Sequence, residues 1–171
     1  MNAIVPCDLS FFYNFENKLA LFTNRLSKGV DILLNKLMYP YISFDIIDQE
    51  RDQILVFKNQ KVMNDFKSEL EYIRTFENEA GCLDMPKRHL LLGKYLGFPP
   101  KAVEYFSHEK YQMNGFSPIN IAMYYYGLVF ASYPETLEDD IRWLQNTYGK
   151  PFDRSMIDNL TEQLKMHEIS V

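Results

Sequence analysis

The stretch YISFDIIDQERDQILVF, residues 41–57, decides the fold class of this chain, because its apolar residues no longer follow the spacing of a helix. In its first half, residues 41–48, Ile42, Phe44 and Ile46 alternate with more polar side chains, as is typical of a strand with one buried face. A polar run separates this segment from a second apolar run at about 54–58. The two runs predict a β-hairpin.

Apolar residues on both sides of this hairpin recur every three or four positions, which indicates amphipathic helices. Glycine and proline residues mark the expected helix ends, among them Gly29, Pro40, Gly81 and Gly97. The predicted helices span about residues 10–29, 30–39, 61–78, 86–97, 100–106, 137–147 and 155–165.

Residues 119–132 are too rich in Ile, Tyr, Val and Phe, and too poor in charge, for a surface helix. They predict a long, mostly buried strand, with Val129 in its buried part. The sequence therefore predicts one α+β domain over residues 1–171, in which helices cover a small, at least partly antiparallel sheet. The strands of this sheet are expected at about 41–48, 54–58 and 119–132.

The composition excludes several classes of protein. A chain of 171 residues with 47% hydrophobic side chains has the length of one domain and enough apolar material for a packed core. No apolar run is long enough to span a membrane, and the first ten residues do not resemble a signal peptide. With two cysteines, Cys7 and Cys82, we expect no disulfide scaffold, no metal site and no cofactor in a cytoplasmic protein.

The most distinctive segment is DMPKRHLLLGKYLGFPPKAVEYF, residues 84–106. Its core HLLLGKYLGFP, residues 89–99, resembles the His-x-x-Gly/Leu-x-x-Leu-Gly-Tyr-Pro signature of an uncharacterised family of small cytosolic bacterial proteins. The resemblance covers these residues only and implies no catalytic residue.

Basic and aromatic residues in segment 85–105 lie beside two predicted helix N-termini, where backbone N–H groups favour anions. Tyrosine rings there can stack on bases. In the alternative interpretation, the segment packs two helices together and its lysines are solvated. The residues of this candidate nucleic-acid site are Lys87, Arg88, His89, Lys94, Tyr95 and Lys101.

Two groups of carboxylates form a second candidate site. One lies at the tip of the predicted hairpin, and the other follows Thr136, the predicted N-cap of a helix. Without a turn glycine, the hairpin acids do not form an EF-hand loop. They either keep the surface soluble or bind arginines of a partner by imitating spaced phosphates. The candidate partner-binding residues are Asp48, Glu50, Asp52, Glu135, Glu138, Asp139 and Asp140.

The net charge of −5 favours a protein partner with a basic surface over direct contact with nucleic acid. No catalytic signature is evident, although the sequence does not decide whether the protein is an enzyme. We interpret it as a small acidic interaction protein, an inhibitor or regulator that covers a basic surface of a bacterial nucleic-acid-handling protein. Phage anti-defence inhibitors, including anti-CRISPR proteins, are similar in size and charge. The alternative is an RNA- or DNA-associated protein, or an RNA-acting enzyme, that uses segment 85–105.

Overall fold

A computed structural model describes residues 11–12, 14–27, 30, 32–43, 52–112, 121–125 and 128–149. The strands in this part of the chain are β1 (Ala20–Asn24), β2 (Tyr41–Ser43), β3 (Gln53–Phe57), β4 (Ile121–Tyr125) and β5 (Leu128–Ser132). The helices are α1 (Gln60–Ala80), α2 (Met85–Leu96), α3 (Pro100–Gln112) and α4 (Leu137–Tyr148), with a short π-helical turn at Ile32–Lys36. The predicted α+β fold class is confirmed.

Strand β3 lies at the centre of a three-stranded antiparallel sheet with the order β1-β3-β2. Its side chains alternate between two apolar clusters, one on each face of the sheet. Leu55 and Phe57 pack against α1 and α2, whereas Ile54 and Val56 pack in a cluster with Phe12 on the other face. Both faces of β3 are therefore buried, which explains why its four apolar residues are consecutive.

The helix predicted over residues 10–29 is wrong from residue 15 onward. A helical turn at Phe11 closes with a backbone hydrogen bond from Phe15 to Phe11, and the chain then extends into β1. Phe22 and Leu26, which the helical pattern placed on a buried face, are exposed. The backbone of β3 needs a hydrogen-bonded neighbour on this side, and β1 provides it in a ladder from Ala20–Phe57 to Asn24–Gln53.

The described part of residues 119–132 forms strands, as predicted, but the prediction of one continuous strand is wrong. Strands β4 and β5 form a separate two-stranded antiparallel sheet, in which Met123 lies opposite Phe130. Only one face of this hairpin packs on α3 and α4, so side chains along β5 alternate between buried and more exposed positions. Val129 points away from the core and is 54% exposed.

The other two predicted strands agree with the structure where it describes them. The strand expected at about 54–58 is β3. Of the strand expected at 41–48, residues 41–43 form β2, and residues 44–48 lie outside the described residues.

Helices α2 and α3 meet at a tight corner. Gly97 ends α2 in a left-handed conformation with φ of 74°, as the sequence predicted. At Gly93 the two helices are so close that an added Cβ atom would overlap the side chain of Val103. Helix α3 begins at Pro100 and continues to Gln112, beyond the end predicted at residue 106.

In the part of the chain that the structure describes, no helix combines the length and the apolar character that crossing a membrane requires.

Two neighbouring substitutions test the hairpin. Leu128→Asp should lower the free energy of unfolding by several kcal/mol, because it buries an unpaired carboxylate next to Leu137 and Leu144. Val129→Asp should change it little, since that side chain is mostly in solvent. Urea unfolding of both variants measures the difference, and equal losses of stability would contradict the hairpin.

Candidate interaction surface

Three of the six residues in the candidate nucleic-acid site are buried. They are Arg88, His89 and Tyr95. His89 stacks on the ring of Phe106, with centroids 5.3 Å apart and an interplanar angle of 12°. Tyr95 lies in the core against Phe66 and donates a hydrogen bond from its hydroxyl to Glu69 over 2.8 Å. Burial raises the pKa of Tyr95, and the bond to Glu69 adds to the shift.

Arg88 forms a buried ion pair with Glu77 that joins α1 to α2. Its Nε and Nη2 atoms donate to the two carboxylate oxygens over 2.7 and 2.6 Å. The carboxylate also accepts the backbone N–H of Asp84 over 2.8 Å, just before α2 begins. Hydrogen bonds from Arg88 hold the pKa of Glu77 below its ordinary value, although burial opposes this. The guanidinium of Arg88 therefore has a structural role, because it joins α1 to α2.

The other three residues of this candidate site are exposed lysines, and each is paired with a carboxylate. Lys87 contacts Asp84 over 2.8 Å. Lys94 contacts Glu69 over 2.8 Å, and Lys101 contacts Asp139 over 2.5 Å. The six residues thus share no continuous basic surface.

Among the predicted acidic residues, Asp140 is fully buried. Its carboxylate accepts hydrogen bonds from the hydroxyls of Ser132 and Thr136, over 2.6 and 2.9 Å, and from the backbone N–H of Ala102 over 3.2 Å. Burial raises the pKa of Asp140, and these hydrogen bonds only partly offset the effect. Thr136 lies at the predicted N-cap position, but its hydroxyl binds Asp140 instead of capping α4.

The remaining acidic residues do not form one cluster in the described structure. At the start of α4, Glu135, Glu138 and Asp139 reach the surface, and the last two are paired with Arg142. Asp52 is exposed at the beginning of β3. Asp48 and Glu50 lie outside the described residues.

A different surface stands out on the outer side of α1 and α2. The rings of Tyr72 and Phe76 meet edge to face, with centroids 4.8 Å apart, and the ammonium of Lys87 lies 5.4 Å from the Phe76 ring. Tyr72, Lys87 and Leu90 line one groove of about 490 Å³ between the two helices. We call Tyr72, Phe76, Lys87 and Leu90 the aromatic face.

Three of the four residues of the aromatic face expose apolar or aromatic side chains. Tyr72 is 67% exposed, Phe76 is 42% exposed and Leu90 is 41% exposed. Contiguous exposed apolar groups commonly mark binding sites, whereas single ones do not. The carboxylate of Asp84 accepts a hydrogen bond from Lys87 and raises the pKa of this lysine.

The sequence of α1 partly predicts that this face is exposed. The helical pattern of α1 allowed either Phe76 or Glu77 on the buried side, and the structure buries Glu77. Tyr72 does not follow the spacing of the buried residues Leu70, Ile73 and Glu77. An aromatic residue outside the buried stripe of a confident helix is a local sign of an exposed binding group.

The described residues contain no group of three or more His, Cys, Asp or Glu side chains placed to hold a metal ion. Cys82 is exposed. Comparisons of the chain with protein-family models, curated proteins and solved structures found no match.

The Glu77–Arg88 pair provides a test of the geometry around α2. Arg88→Ala should lower the free energy of unfolding by about 3–5 kcal/mol, because it leaves the Glu77 carboxylate buried without its partner. Lys87→Ala is the matched control, and it should change stability little because its ion pair is exposed. Similar urea midpoints for the two variants would contradict the buried pair.

The same pair predicts a pH dependence. Since the pKa of Glu77 is lower in the folded state than its ordinary value of 4.5, its stabilising effect is complete above that value. It is lost as pH falls through the folded-state pKa. The stability advantage of the wild type over Glu77→Gln should therefore shrink on acidification from pH 6 to pH 3, as measured by urea unfolding at each pH. A constant difference would show that Glu77 has no depressed pKa.

Proposed function

We propose that this protein acts by binding another protein through the aromatic face. The observation that carries the proposal is the pair of exposed, mutually packed rings of Tyr72 and Phe76, beside Leu90 at the edge of a groove. Tyrosine and other aromatic side chains are enriched at the centres of protein interfaces, where they contribute a large share of the binding energy.

Three residues of the aromatic face contact one another in the free protein. Phe76 packs against Tyr72, and the ammonium of Lys87 lies near the Phe76 ring. Lys87 is also paired with Asp84, the N-cap of α2, at an exposed position. These contacts reduce the side-chain freedom that is lost when a partner binds.

The groove defines the chemistry that a partner needs. Its floor contains Ile73 and Leu91, and its edges carry Lys87 and Lys94, each with its own carboxylate partner. Because both lysines are neutralised locally, the groove favours an apolar segment over a highly charged one. A short amphipathic helix with apolar side chains facing α1 and α2 fits this description.

The acidic character of the chain favours the partner expected from sequence, a protein with a basic surface. Its net charge of −5 favours approach to a basic protein surface, and Glu135 and Glu138 contribute exposed carboxylates, the second of which is paired with Arg142. The proposed role is therefore that of an inhibitor or regulator which covers part of a basic, nucleic-acid-handling protein. Direct binding of RNA or DNA through segment 85–105 is supported less well, because Arg88, His89 and Tyr95 are buried.

Differential capture tests this function. The tagged wild type, the double variant Tyr72→Ser with Leu90→Ser, and the control Leu26→Ser are compared as baits in a bacterial lysate by quantitative mass spectrometry. Leu26 is an exposed apolar residue outside the aromatic face. A stoichiometric protein retained by the wild type and the control should be lost from the double variant, with an affinity decrease of more than about tenfold.

The contribution of charge is measured on the same partner. The double variant Glu135→Lys with Glu138→Lys should associate more slowly with this partner. The difference in association rate from wild type should decrease as salt shortens the Debye length to about 3 Å at 1 M.

Equal capture by wild type and the Tyr72/Leu90 variant would refute the aromatic face as the binding site. Salt-sensitive binding of RNA by the wild type that is lost on Lys87→Glu with Lys94→Glu would favour the nucleic-acid alternative.

A further inference from the structure

A second site lies on a different side of α2. A half-enclosed cavity of about 290 Å³ separates α2 and α3 from strand β5. Its walls include His89, Leu92 and Leu96 of α2, Val103 and Phe106 of α3, and Phe130 of β5. We propose that this cavity binds a small, mostly apolar aromatic molecule that carries one hydrogen-bonding group.

The size of the cavity supports a ligand of two fused rings. An engineered cavity of about 150 Å³ lined by apolar side chains binds benzene, so a cavity of about twice that volume can hold a naphthalene- or indole-sized molecule. The walls are apolar, so a ligand that covers them removes apolar surface from water, which favours binding.

The lining specifies the chemistry of the ligand. Of the described residues that line the cavity, His89 is the only one with an ionisable side chain, and all the others are apolar or glycine. His89 is buried, and its ring lies nearly parallel to that of Phe106, at 12°. One polar side chain in an apolar cavity is the usual arrangement for orienting a small ligand. The flat pair of rings also favours a flat ligand.

The cavity is separate from the aromatic face. His89, Leu92 and Leu96 recur at three- and four-residue spacing along one side of α2, whereas Lys87 and Leu90 lie on another. Binding of a small molecule in the cavity therefore does not depend on the protein partner proposed above.

Direct binding of 2-naphthol to the full chain tests the site. Calorimetry gives the affinity, and methyl NMR of the wild type locates the ligand. The methyl signals of Leu92, Ala102, Val103 and Ala131 should shift, while those of Val30 and Leu33, which lie in another cluster, should not. Absence of binding, or shifts confined to Val30 and Leu33, would overturn the proposal.

The same substitution at two leucines provides a matched comparison. Leu96→Phe places a larger side chain at the cavity and should weaken 2-naphthol binding by at least about tenfold. Leu83→Phe enlarges an exposed leucine outside the cavity and should leave binding unchanged. Equal effects of the two substitutions would contradict the location. If Leu96→Phe does not fold, the methyl shifts of the wild type decide.

A separate variant tests whether His89 forms a hydrogen bond with the ligand. His89→Phe keeps a flat ring beside Phe106 but removes the imidazole, so 2-naphthol should lose its affinity advantage over naphthalene. An unchanged advantage would show that His89 does not recognise the ligand. The Tyr72→Ser with Leu90→Ser variant should bind 2-naphthol like the wild type, and loss of binding there would contradict a site independent of the aromatic face.

Discussion

Burial of β3 on both faces is the constraint on which the first sheet depends. Leu55 and Phe57 require the apolar sides of α1 and α2, and Ile54 and Val56 require a second cluster on the opposite face. A strand buried in this way has no water to satisfy its backbone, so both of its edges need hydrogen-bonded neighbours. Strands β1 and β2 meet this need. The requirement overrides the helical pattern that the N-terminal residues show when they are considered alone.

Polar contacts join helix α2 and its C-terminal end to α1, to the residues before β1 and to α4. Arg88 pairs with Glu77 of α1, and the ammonium of Lys18 donates to the carbonyl of Leu96 at the end of the helix. The hydroxyl of Tyr148 in α4 donates to the carbonyl of Gly97 over 2.9 Å. Arg88 and the carbonyl groups at the end of α2 are therefore used in contacts within the fold. This explains why a basic and aromatic sequence does not produce a basic surface.

The same helix takes part in both proposed binding sites, on separate sides. On its outer side, Leu90 and Lys87 complete the aromatic face with α1, where a protein segment fits. Toward α3 and β5, His89, Leu92 and Leu96 line a cavity of the size of a small molecule. The two sites differ in enclosure and in size. The exposed face suits a macromolecule, whereas the half-enclosed apolar cavity suits a compact ligand.

The sequence by itself determined the α+β class and the helices whose ends are set by neighbouring residues. Gly81 and Gly97 end α1 and α2 in left-handed conformations, and Pro86 lies in the first turn of α2, because these preferences act within a few residues. Only the tertiary structure decided that residues 20–24 form a strand, since that choice depends on a ladder with β3 about thirty residues away. It also decided that Glu77 is buried and Phe76 exposed, because the buried position goes to the side chain that meets Arg88. The candidate sites depend on such long-range contacts, and the spacing of residues along a helix does not predict them.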